Sequence, residues 1–151
     1  MTPENERKKA WLCRYLEARR DQLALEHELE QYRLSALPSG ISYDGVGGGG
    51  SVPHGYEVYA SKLDDYFMEL SKQIEKCQTI RREVLQAIEG LHDETERSVM
   101  KARYIFLREK YTRGNLTGYG LRYWDDIEDV LFLSAGYASQ VHGRALQHLN
   151  I

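Results

Sequence analysis

Ser139, Gln140 and Arg144 are the side chains of this sequence best suited to reading another molecule. Around them Ala138, Val141, Ala145 and Leu149 recur at intervals of 3, 4 and 4, the spacing of a helix with one buried face. With those four turned inward, Ala135, Gly136, Ser139, Gln140, Gly143, Arg144 and Gln147 face out. Such a face suits a DNA major groove. Gln can bond an adenine edge bidentately, Arg a guanine edge and Ser a base or phosphate, while small residues let the backbone come close. Each good base contact contributes about 1–3 kcal/mol of discrimination. Ser134 is expected to open this helix as its cap, and Tyr137 falls on its first exposed turn. The plain alternative is a solvated polar face, since Arg144 is its only Arg or Lys.

A helix must position that one. Trp124, Ile127, Val130 and Leu131 form one apolar face, with Asp125, Asp126, Glu128 and Asp129 taking the other side. Two helices separated by about three residues cross steeply, which predicts a helix-turn-helix. Upstream, Arg97, Lys101, Arg103, Arg108, Lys110, Arg113 and Arg122 stand against only Glu96 and Glu109. This run reads either as a phosphate-contacting flank or as a solvated helix face. The net charge of -3 argues against a generally DNA-coating protein, so the distribution of charge matters more than its sum.

Catalytic chemistry is not expected. Asp64 with Asp65 and Asp125 with Asp126 are adjacent on helices and splay roughly 100° apart, which suits solvent rather than a shared proton. His27, His54, His92, His142 and His148 share no ligand spacing with Cys13 or Cys77, so neither metal nor cofactor is expected. The two cysteines read as free thiols of a reduced, cytoplasmic protein. No run of eighteen apolar residues exists, and the first twenty residues are basic without an apolar core, so neither a membrane span nor an export signal is expected.

The supporting elements divide the chain into four. Residues 1–37 predict one long helix, opened by Thr2 and Pro3, with Trp11, Tyr15, Ala18, Gln22, Leu25, Leu29, Tyr32 and Ala36 along one stripe. Residues 38–58, rich in glycine, predict a tether. Within it Gly47 to Ser51 spells GGGGS, a native tract or an engineered linker. Residues 59–91 predict a heptad helix: Leu63, Leu70, Cys77, Val84 and Leu91 fall every seventh residue, with Phe67, Ile74 and Ile88 interleaved and Arg81 interrupting. It spans roughly 48 Å at about 1.5 Å per residue and needs a partner, either the first helix folded back or a second copy. Residues 92–151 predict a third unit, opened by a capping box of Asp93 and Glu96, with a helix to about residue 111 and a loop over 112–120. No strand is predicted. The expected fold is all-α: a long antiparallel coiled-coil hairpin plus a C-terminal three-helix helix-turn-helix unit.

The segment Tyr123 to Leu149, YWDDIEDVLFLSAGYASQVHGRALQHL, resembles the C-terminal helix-turn-helix of phage-encoded transcriptional regulators of the ArpU and RinA type, which are similar to the fourth region of bacterial sigma factors. Trp124, Ile127, Ser134 and the run His142 to Leu146 match that pattern. Arg97, Val99, Arg103 and Tyr104 look like the family's preceding helix, and Ser39 to Gly45, SGISYDG, like its linker. The likeness covers nearly the whole chain, with its specific part in the last sixty residues. Two positions depart from it: Glu128 replaces a small Ala, and Phe132 a turn Gly. The resemblance implies sequence-specific binding of double-stranded DNA and control of phage or prophage late genes in a bacterial host's cytoplasm. Ser134, Tyr137, Ser139, Gln140 and Arg144 would contact the groove, and the seven cations phosphates. RNA polymerase and a second copy are further expected partners. Two rivals stand beside this reading: a coiled-coil scaffold without DNA binding, and a small terminase-like DNA-packaging subunit.

Overall fold

Six helices and one two-stranded hairpin make up residues 2–36 and 54–151, the part of the chain that this computed structural model describes. The class is all-α. Helix α1 (Pro3–Leu12) starts as its sequence dictates: Thr2 Oγ1 accepts from the Asn5 amide at 3.2 Å, Pro3 needs no N–H partner in the first turn, and Glu4 and Glu6 face the positive end of the dipole. The expected single helix over 1–37 is divided at Cys13 into α1 and α2 (Arg14–Ser35), with helical hydrogen bonds continuing across the division from the Cys13 amide to Lys9 and from the Glu17 amide to Cys13. The two halves have different neighbours. α1 packs on the last helix, whereas α2 packs on α3 and on the β-hairpin.

Helix α3 (His54–Glu89) begins inside the stretch expected to be a tether; the rest of that stretch, including the GGGGS and SGISYDG runs, lies outside the described residues. It folds back antiparallel on α2 within the same chain. Arg14 pairs with Glu83 at 2.9 Å, the Ala18 carbonyl accepts from Cys77 Sγ and Gln73 Nε2, and Tyr32 stacks on Tyr59 and packs at a tilt against Tyr66. The buried seam runs through Cys77, Ile80, Val84, Ile88 and Leu91. In the outer half the interleaved positions are Tyr66 and Gln73, and Phe67 and Ile74, expected inside, are exposed. A stripe at +3 and one at +4 lie only about 100° apart, so periodicity alone does not choose between them.

Helix α4 (Glu94–Tyr104) is shorter than expected, and the predicted loop is replaced by strands β1 (Arg108–Thr112) and β2 (Asn115–Gly120). They pair antiparallel with a bulge between Lys110 and Tyr111. The turn residues Arg113 and Gly114 both have positive φ, as a two-residue type I′ turn requires. Gly118 and Gly120 stand opposite Lys110 and Arg108. A Cβ on Gly120 would lie 2.6 Å from Arg108 Nη2, so this glycine is room for a long cationic side chain rather than a sign of a loop.

Helices α5 (Trp124–Leu131) and α6 (Tyr137–His148) complete the chain. One core joins Leu12, Val84, Ile88, Met100, Tyr104, Leu146 and Leu149, so the rods' base and the C-terminal helices are a single packed body. A second core, Val99, Ala102, Ile127, Ala138 and Val141, holds α4, α5 and α6 together. No helix among the described residues is long and apolar enough to cross a membrane.

Candidate nucleic-acid interface

Helix α6 is fixed on three sides. Ala138, Val141, Ala145 and Leu146 are fully buried, and Leu149 just beyond the helix nearly so. At its N-terminus Ser134 is not the cap that the sequence suggested: the helix starts three residues later, at Tyr137, and the Ser134 carbonyl accepts the Tyr137 amide at 3.0 Å. The capping group comes from α5. Buried Glu128 turns its Oε2 to the Ala138 amide at 3.0 Å, satisfying an orphan donor at the positive end of the dipole. Glu128 therefore has a positional role. At the other end, buried Lys8 of α1 donates through Nζ to the carbonyls of Leu146 and Leu149, both at 2.8 Å. Neither end partner is read from the sequence, which places Glu128 on the outer side of α5 with Asp125, Asp126 and Asp129; it is buried instead because its carboxylate serves the start of α6.

His142 locks the inner face further. Its Nε2 shares a 2.7 Å hydrogen bond with Tyr104 Oη, and Trp124 lies 4.9 Å away, ring centre to ring centre. Burial, helped by the charges of Arg103 and Lys9, lowers its pKa to about 4, so the imidazole is neutral at pH 7. Burial pushes the Tyr104 hydroxyl up. Asp93 caps α4 by accepting from Thr95 and Glu96, but the reciprocal half of the expected capping box is absent: the Glu96 carboxylate instead meets His148 Nδ1 at 2.9 Å.

The outward face of α6 carries the expected side chains. Ser139, Gln140, Arg144 and Gln147 are exposed, and a Cβ on Gly143 would meet nothing within 4 Å. Ser139 Oγ donates to the Gly136 carbonyl, and Arg144 reaches back along Tyr137, donating to its hydroxyl at 3.4 Å. Ser134 is exposed in the turn. All five candidate contact residues thus lie on, or just before, one accessible helix face.

The seven cations divide differently. Arg97 donates to the Leu91 carbonyl, Lys101 pairs with Glu89, and Arg122 donates to the Phe106 carbonyl. Arg103 lies 4.1 Å over the Trp124 ring and donates to the Arg122 carbonyl, where burial lowers its pKa. Arg108 lies 4.3 Å over Tyr123. Among the described residues, Lys110 and Arg113 alone of the seven have side chains without such a partner, and both are on the β-hairpin. The charge on α5 has the opposite sign. Asp125, Asp126 and Asp129 are exposed on its outer side, beside Val130 and a Phe132 that is 94% exposed in the left-handed region (φ 58°).

Neither protein-family models, nor curated proteins, nor solved structures provide a match to this chain.

Proposed function

We propose that the chain is a sequence-specific DNA-binding protein that lays the outer face of α6 in a major groove and steadies the duplex with hairpin cations. The observation that carries this reading is the combination of a helix anchored at both ends with an outer face that is accessible, uncharged but for Arg144, and set with Gln140 and Ser139. Anchoring matters because base readout needs donors and acceptors held in place before the duplex arrives. The resemblance to ArpU- and RinA-type regulators extends the proposal to transcriptional control of phage or prophage late genes in the cytoplasm of a bacterial host. RNA polymerase and a second copy of the chain are the proposed protein partners. Phosphate contact falls first to Lys110 and Arg113, because the other five cations are engaged within the fold.

One observation favours a second reading, an interaction module. The outer side of α5 offers three carboxylates, which would repel a phosphate backbone lying across it. A gel-shift series against phage promoter DNA at rising salt separates the two. A regulator shows specific binding that weakens steeply with salt, whereas a scaffold shows none. Replacing Gln140 and Arg144 by Ala should reduce discrimination between the preferred and an unrelated site by at least about 10-fold, with helicity unchanged. Unchanged discrimination would remove α6 as the reading element.

A further inference from the structure

Between α2 and the β-hairpin runs a groove of about 540 Å³. Arg20 and His27 line one wall, Lys110, Thr117 and Gly118 the other, and Leu23 lies between them. No carboxylate lines it. Acids on the same elements stand close by: Asp21 and Glu28 follow Arg20 and His27 along α2, Glu26 accepts from Gln22 Nε2, and Glu109, on the other face of β1 from Lys110, accepts from the Tyr111 hydroxyl. The walls are fixed to each other by polar links. Arg19 donates to the Tyr119 hydroxyl, Arg20 Nε donates to the Tyr119 carbonyl at 3.1 Å, and the His27 ring meets the Leu116 carbonyl at 3.2 Å. Because Arg20 spends only its Nε on this link, its terminal guanidinium nitrogens remain to face a ligand across from Lys110.

We infer that this groove binds a phosphate of the DNA backbone, with Arg20 and Lys110 gripping it from opposite walls and Gly118 leaving room for the Lys110 stem. The inference rests on the DNA-binding reading and extends it. It makes α2, expected from the sequence to be only a coiled-coil partner, part of the nucleic-acid surface. A phosphodiester fits the groove's chemistry: a cationic side chain on each wall, that of Arg20 tethered through its Nε and that of Lys110 free to close on the ligand, and an opening to solvent.

Two measurements on the full chain test this. In DNA titrations across salt, Arg20→Ser and Lys110→Ser should each lower the slope of log K against log salt by about 0.9, leaving the ratio of specific to unrelated binding unchanged, while Arg20→Lys keeps most of the slope. In amide-shift titrations with inorganic phosphate, Thr117 and Gly118 should move in the wild type and not in Arg20→Ser. Both substituted side chains are exposed, so circular dichroism should report an intact fold. Unaltered slopes in both Ser variants overturn the inference. If phosphate moves Gly118 while DNA slopes are unaltered, the occupant is a free anion and the backbone assignment is wrong. If the wild type binds no DNA yet phosphate moves Gly118, the DNA reading falls and the groove remains an anion site.

Discussion

The two ends of the α2–α3 hairpin are built from the same pair of helices but are held differently. At the base, Ala18, Cys77, Ile80, Val84 and Ile88 are buried in one core with Leu12 of α1, Met100 and Tyr104 of α4, which packs on α3, and Ala145 and Leu146 of α6, which packs on α1 and α4. Toward the far end, Leu25, Leu29, Leu63 and Leu70 are only half-buried, Tyr32 packs its ring against those of Tyr59 and Tyr66, and Phe67 and Met68 stay exposed. A heptad pattern specifies which sides of two helices meet. It does not supply the cover that turns contact into burial, and here the C-terminal unit supplies it at one end only.

The most direct way to break this contrast is to delete a side chain at each end. Ile88→Ala should cost about 4 kcal/mol, and Leu70→Ala about 1–2, in urea unfolding followed by circular dichroism, since the cost scales with buried volume lost. Equal losses would mean that the far end is as well covered as the base.

A change of pH should sharpen the contrast, because His142 belongs to the base. Its folded pKa of about 4 lies below the ordinary 6.5, so the folded state takes up its proton later than the unfolded chain does. This contribution is complete above about pH 6.5 and is lost as the pH falls toward about 4, a change on the order of 3 kcal/mol. Unfolding at pH 7.5 and 4.5 should show that loss in the wild type and a smaller one in His142→Asn. Amide exchange should report the loosening in α4 and α6 before the far end of α3.

The smallest effect is a gain. Phe132 ends α5 with a left-handed backbone and an exposed ring, a conformation that costs a side chain about 1 kcal/mol and a glycine little. Phe132→Gly should raise stability by about 0.5–1 kcal/mol in the same unfolding assay. A loss would assign the ring a packing role that its exposure does not suggest.

Much of this architecture can be read from residue order. The face of α6 follows from Ala138, Val141 and Ala145, because burial on a helix repeats every 3.6 residues, but that of α5 follows only in part: Trp124, Ile127 and Leu131 turn inward as expected, whereas Val130 is exposed and Glu128, expected outside, is buried. What periodicity does not carry is partnership across long separations. Gly118 and Gly120 read as loop because their use, leaving room for Lys110 and Arg108, exists only once two strands pair. Arg103 and Arg108 count as charge in a sequence, whereas in the fold each lies over an aromatic ring. The start of α6 was misplaced at Ser134 for the same reason. Its cap, Glu128, comes from ten residues before the amide it serves.

The ammonium group of Lys8 bridges 138 and 141 positions to reach the end of α6. Translation therefore delivers the latch long before the bolt. An emerging chain can assemble its rods early, but α6 finds its terminal partner only by closing a loop of 138 positions, a contact of high order that slows folding. Removing the opening segment to isolate a compact C-terminal fragment would leave two carbonyls bare and a void where Leu12 sat. Helix α6 is thus coupled, through one amine, to α1.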